Sequence, residues 1–268
     1  MNFLNKVLTK DGCALHYWIT YAKDRPWLIF LHGAGADHNM FNDQIEEMDE
    51  SFNVLLWDAR GHGLSRPIGE EFSLKMLMED LKAIMSQERI QKATFIGQSM
   101  GGNLAQEMAF HYPEMVDNLV LIDCTCNTME LSIAEKTAIW MAPFIMKLCP
   151  GKWLLPLSAN ASSVKKDVQQ YLKSTFYRIG KNDFTTIFLA TTKCLHAEKD
   201  YFINKPMLLV CGELDKTGNI KKIARRWASR ETQCEFHWIP DAGHCANQDN
   251  PVFFNKILLQ FLRKQCTI

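Results

Sequence analysis

The stretch Thr94-Phe95-Ile96-Gly97-Gln98-Ser99-Met100-Gly101-Gly102-Asn103 decides how the rest of the chain is read. Its first residues, β-branched and aromatic, suit a strand, and Met100, Leu104 and Met108 follow at helical spacing. Gly-x-Ser-x-Gly at such a junction predicts a nucleophile elbow, a strained turn that lifts a serine hydroxyl above the end of a sheet. Gly97 and Gly101 carry no Cβ, so flanking backbone can approach them closely. Ser99 is the expected nucleophile.

On either side of the elbow, apolar runs alternate with helical patterns. Trp27–Leu31 is a continuous apolar stretch of the kind buried on both faces of a parallel sheet, and Phe52–Trp57 reads as another strand. The first runs into His32-Gly33-Ala34-Gly35, the second into Asp58-Ala59-Arg60-Gly61-His62-Gly63-Leu64-Ser65. Phe3–Lys10 and Leu15–Ala22 read as a hairpin turning at Asp11-Gly12. Leu74, Leu77, Met78, Leu81, Ile84 and Met85 form a helical stripe with Ser73 as N-cap. Val116–Cys124, Lys205–Gly212 and Cys234–Ile239 read as further strands, with helices over Ile220–Ser229 and from Asn250-Pro251 to Lys264. This order predicts an α/β fold with a mostly parallel, doubly wound sheet.

The alternation breaks at Thr125. Residues 125–201 look helical, punctuated by Pro143, Pro150 and Pro156, which predicts a helical cap inserted after the sixth strand into a core of residues 1–124 and 202–268. The cap is rich in Trp, Met and Phe, and Trp140, Phe144 and Met146 are expected to line an apolar substrate pocket.

A serine hydroxyl needs a base, usually a histidine held in one tautomer by a carboxylate. Behind this elbow the chain order is serine, acid, histidine. His244 stands in the loop Asp241-Ala242-Gly243-His244 after a strand, at the sheet end where Ser99 emerges. His111 falls in the elbow helix, His196 in the cap, and His237 within a strand as a surface residue. Two acids end strands: Asp215, the first choice, in Gly212-Glu213-Leu214-Asp215, and Asp123, the second. The oxyanion donors are expected to be backbone N–H groups of Met100 and of Ala34, with Gly33 as alternate.

Thirty basic residues balance thirty acidic ones, so no net field favours nucleic acid or an anionic membrane. The basic run Lys221-Lys222-Ile223-Ala224-Arg225-Arg226 suits a solvated helix face. No stretch approaches the roughly 18 apolar residues of a membrane span, and Met1–Lys6 lacks the apolar core of a signal peptide. Nine cysteines, an odd number among apolar neighbours, suit free thiols in a reducing, cytoplasmic setting. Cys124-Thr125-Cys126 has no companions at metal-ligand spacing, and neither metal nor cofactor is expected. A monomer or homodimer acting on a small molecule is the expected state.

The chain resembles the α/β-hydrolase superfamily, in its small capped serine-esterase-like branch, over nearly its whole length. The likeness rests on His32-Gly33-Ala34-Gly35, Asp58–Ser65, Gly97–Gly102, Gly212–Asp215 and Gly243-His244, in that order. It implies that Asp58, Arg60 and His62 belong to a scaffold turn. Ser99 at the nucleophile position disfavours the aspartate-nucleophile dehalogenases and epoxide hydrolases. The activity it implies is hydrolysis of a small, largely apolar carboxylic ester through an acyl-enzyme. A C–C bond hydrolase for vinylogous diketones and a slow-turnover ligand receptor share the same residues.

Overall fold

The computed structural model describes residues 2–48 and 50–266. The hairpin forms as β1 (Leu4–Lys10) and β2 (Cys13–Ile19), with Lys10 opposite Cys13. Its turn residues Asp11 and Gly12 both have positive φ, at 48° and 72°, the backbone of a two-residue hairpin loop. Next come β3 (Trp27–Leu31), α1 (Asn42–Glu46), β4 (Asn53–Trp57) and α2 (Leu74–Gln87). A 3-10 turn at His38–Phe41 precedes α1. The Ser73 side chain caps α2 by accepting from the Met76 N–H at 3.2 Å.

The elbow lies between β5 (Ala93–Gln98) and α3 (Met100–His111), and β6 (Val116–Ile122) follows. Four helices then stand between β6 and the next strand: α4 (Ile133–Leu148), α5 (Gly151–Ser162), α6 (Lys166–Ile179) and α7 (Lys181–Thr192). The sheet resumes with β7 (Met207–Gly212), α8 (Ile220–Arg230) and β8 (Cys234–Ile239), and the chain closes with α9 (Ala246–Asp249) and α10 (Pro251–Gln265).

The strands form one eight-stranded sheet in the order β1-β2-β4-β3-β5-β6-β7-β8. The β1–β2 and β2–β4 pairs are antiparallel and the remaining five are parallel. Every residue of β4, β5 and β7 is buried, as a strand covered by helices on both sides requires. On α8 the residues Ile223, Ala224 and Trp227 are buried while Lys221, Lys222, Arg225 and Arg226 are exposed, the solvated basic face expected of that run.

The Asp58–Ser65 turn is a buried polar knot. Asp58 accepts from the N–H groups of His38 and Leu64 at 2.9 and 2.7 Å, and from His38 Nδ1 at 2.8 Å. Arg60 grips Asp80 through two bonds of 2.8 and 2.9 Å and donates to the carbonyls of Lys10 and Asp11. A fork of this kind satisfies both buried charges, which would otherwise be costly.

Candidate active site

Parallel pairing gathers the site at one end of the sheet. Leu31 lies opposite Gly97 in the β3–β5 ladder, so the turn carrying Ala34 and the elbow carrying Met100 each begin a few residues past a shared rung. Ser99 has φ 50° and ψ −114°, a backbone strained for any residue with a Cβ. The glycines make this turn possible. A Cβ on Gly97 would meet the Gly101 backbone, and one on Gly101 would run into the Leu31 carbonyl.

Ser99 Oγ lies 3.0 Å from His244 Nε2, and His244 Nδ1 lies 3.1 Å from Asp215 Oδ2. A carboxylate only accepts, so Nδ1 carries the proton and Nε2 is free to accept from the serine hydroxyl. Burial alone would lower the His244 pKa, but the Asp215 hydrogen bond and charge outweigh it and raise it above the usual histidine range. Burial pushes Asp215 the other way. The His244 bond and charge, with the Thr217 N–H donating at 2.7 Å, hold its carboxyl below the usual carboxylate range.

Asp123, the second candidate acid, sits beneath this line. Its two oxygens accept from the Gly212 and Ala246 N–H groups at 2.7 and 2.8 Å, which ties together the loops bearing Asp215 and His244. Burial, then the nearby Asp215 charge, raises its pKa. Asp123, Cys211 and Asp215 are the one grouping of metal-ligand side chains among the described residues. All four of its carboxylate oxygens already accept a hydrogen bond, which makes it a hub for backbone.

The other sequence candidates fall elsewhere. His111 and His196 lie on either side of Glu107, at 3.6 and 3.2 Å, and His237 faces Glu235 at 3.2 Å. Met100 opens α3, where an N–H has no carbonyl four residues behind it within the helix. Ala34 follows His32 and Gly33, and the His32 ring pins this turn. His32 Nε2 accepts from the Ala59 N–H at 3.0 Å, so Nδ1 donates to the Gly33 carbonyl at 2.8 Å. Gln98 adds a further tie, its Nε2 donating to the His244 carbonyl at 2.6 Å. Reading for reactive groups passes over His32 and Gln98. Their signal is a polar side chain at the end of an otherwise apolar strand.

A cavity of about 470 Å³ opens beside Ser99. Its polar side includes Asn103, Thr125, Glu135, Thr217, Asn219 and Lys222, and its apolar side Leu131, Ala134, Ala138, Ile139, Ala142, Phe188 and Leu195. Trp140, Phe144 and Met146 are absent from this lining. Trp140 and Phe144 face outward and are exposed, their rings 5.7 Å apart, while Met146 is buried away from the cavity. The face of α4 turned to the cavity carries small residues, because bulky ones would fill it. A larger space of about 610 Å³, lined by both Lys and Arg side chains and by Glu130, Glu135 and Glu198, adjoins this cavity but does not reach Ser99.

The inserted helices are fastened to the loops around the site. Asp249 accepts from the Gly243 N–H beside the base at 2.8 Å, and from Ser163 Oγ and the Val164 N–H at the α5–α6 junction at 2.5 and 3.1 Å. Asp37, past the Ala34 turn, accepts from Tyr171 at 2.8 Å and pairs with Arg178 at 3.4 Å, both from α6. Gly35 has φ 84°, and a Cβ there would strike the Phe176 ring of α6. Among the described residues no helix is long and apolar enough to cross a membrane.

The family model described as serine aminopeptidase, S33 matches residues 22–250. A 3-oxoadipate enol-lactonase from Acinetobacter baylyi is 36% identical over 157 residues, 58% of this chain and 55% of that enzyme, so the match spans about half of the relative's length. A second 3-oxoadipate enol-lactonase of the same organism is 25% identical over 96% of both chains. Among solved structures, a thermophilic esterase from Thermogutta terrifontis superposes with a TM-score of 0.81 at 20% identity, covering 99% of this chain and 100% of the esterase. The enol-lactonase from Burkholderia xenovorans gives 0.78 at 20% identity, over 96% and 99%. At such identities the structural likeness speaks for the fold. The sequence match speaks for the family, and the chain belongs to the α/β-hydrolases of the S33 serine aminopeptidase family, a family of hydrolytic enzymes.

Proposed function

We propose that this protein is a serine hydrolase that cleaves a small, largely apolar carboxylic ester, open-chain or cyclic, through an acyl-enzyme. The observation that carries the reading is the hydrogen-bonded line Ser99–His244–Asp215, with Ser99 held in the strained turn at the mouth of the cavity. His244 takes the serine proton as Ser99 Oγ attacks the carbonyl carbon, and Asp215 stabilises the imidazolium. The N–H groups of Met100 and Ala34 receive the oxyanion. His244 then returns the proton to the leaving alkoxide. Water, deprotonated by the same ring, releases the acid. For a lactone the leaving alkoxide stays attached to the acyl group, and the enol-lactonase relatives favour including that class.

Residues 125–201 act as the cap, with Ala134, Ala138, Ile139 and Ala142 shaping the acyl pocket in place of Trp140, Phe144 and Met146. The polar side of the cavity has one cation, Lys222 on its exposed rim, and no buried cation to grip a dienoate carboxylate. That favours a neutral ester over the diketone acid of a C–C hydrolase. All nine cysteines are free thiols, which suits a reducing compartment such as the cytoplasm.

The test is steady-state turnover of p-nitrophenyl esters of rising acyl length and of small lactones, with Ser99→Ala alongside. Turnover that disappears in the variant is the expected result. An unaffected variant would remove Ser99 from the mechanism. No turnover of any ester or lactone, with a ligand-induced rise in Tm, would point to a receptor instead.

A further inference from the structure

The outer side of α4 carries an apolar surface that no other part of the described residues covers. Ile133, Trp140, Phe144 and Leu148 fall within one face of the helix at 3.6 residues per turn, and each is more than half exposed, Ile133 and Leu148 above 80%. Trp153 on α5 is exposed as well, at 60%. The cavity-lining residues Ala134, Ala138 and Ala142 sit on the opposite face. A helix apolar on two opposite sides has the pattern of one buried all round, yet here its outer side meets water.

Charge indicates what covers it. The molecule is neutral overall, but between Glu135 and Asp167 the sequence has no carboxylate side chain and five lysines. Two of them, Lys136 and Lys147, flank the apolar stripe on α4, and Lys152 follows at the start of α5. A second copy seated face to face would set Lys147 and Lys152 against each other with no acid between Lys136 and Lys166 to pair them. Glu130 and Glu135 stand at the Ile133 end, where Glu130 pairs with Lys136 at 3.9 Å. From Trp140 to Trp153 the aromatic and aliphatic side chains have Lys147 and Lys152 as their only charged neighbours in sequence, a match for an anionic lipid surface, where indole rings settle at headgroup level and ammonium groups meet phosphates.

We propose that the outer face of α4 and the start of α5 dock on an anionic lipid surface, with Trp140, Phe144, Leu148 and Trp153 entering the headgroup layer. The wall of the cavity beside Ser99 is then the inner face of the docked helix. Docking itself needs no catalysis, so the proposal stands apart from the ester reading.

The experiment is cosedimentation of the full chain with vesicles of phosphatidylcholine alone and of phosphatidylcholine with a quarter phosphatidylglycerol. Binding to the anionic vesicles is expected, falling with added salt and weaker on phosphatidylcholine alone. The Lys147→Gln/Lys152→Gln variant should bind about tenfold or more weakly. Phe144→Ser/Leu148→Ser should bind weakly to both vesicles with an unchanged Tm, and Ser99→Ala should bind like the parent chain. The proposal is overturned by no binding to either vesicle, or by binding that ignores both double variants. It is equally overturned if the parent self-associates in sedimentation velocity without lipid and Phe144→Ser/Leu148→Ser abolishes that association.

Discussion

Ser99 combines a strained backbone with a hydroxyl that contributes little to folding, and the two can be separated by substitution. Ser99→Ala should lose activity by on the order of 10³-fold or more with Tm nearly unchanged. Ser99→Gly should be equally inactive but melt higher than Ser99→Ala, since glycine accepts φ 50° without a clashing Cβ. The histidine predicts a pH profile. The proposed mechanism requires neutral His244, and its pKa is raised by the Asp215 bond and charge, so the acid limb of kcat/KM should lie above the ordinary histidine value of about 6.5. Asp215→Asn removes that support and leaves burial to dominate. Its limb should move to lower pH while kcat falls by about 10³–10⁴-fold. A limb that stays in place would sever Asp215 from His244. At this scale residue type and chain order singled out Ser99, Asp215 and His244, three residues that the fold brings into one hydrogen-bonded line. The sequence was silent on His32 and Gln98, and it offered Asp123 only as an alternate acid, because these side chains act by meeting backbone brought from elsewhere in the chain.

Among the elements, the β5–α3 corner is the least forgiving. Gly101→Ala would drive a methyl into the Leu31 carbonyl, backbone that β3 holds in place on both sides. A loss of about 1–3 kcal/mol or more is expected in urea unfolding, with reduced kcat as the elbow shifts. Strand and helix identities were readable because buried runs and 3.6-residue stripes have one interpretation each. The facing of α4 was not readable, for a specific reason: periodicity orients a helix by contrast between its sides, and α4 is apolar on both. The bulky Trp140 and Phe144 therefore looked like lining, whereas the small Ala134, Ala138 and Ala142 hold the space. Pro143 within α4 leaves the Ile139 carbonyl without its usual helical donor, a further local departure that pattern alone does not place.

Over the whole molecule, the proposed function makes the size of the cavity the limit on substrate length. Ala138→Phe should shorten the preferred acyl chain, raising KM for long p-nitrophenyl esters while acetate turnover stays near the parent value, and chain-length kinetics would reveal this. An unchanged profile would place the acyl pocket elsewhere. Neutral overall composition masked the lysine-only stretch of the inserted helices, since a sum over 268 residues carries no address.

The span of the Ser99–His244 contact, 145 residues apart in sequence, has a consequence for how the protein can be watched. Ser99, the proposed nucleophile, and His244 come together only when β5, β6, β7 and β8 are aligned in register. A phosphonate that labels the activated serine is then a stopwatch for refolding. Labelling should appear with the final assembly of the sheet, later than the gain of helical circular dichroism, and should count native molecules while ignoring every partly formed one.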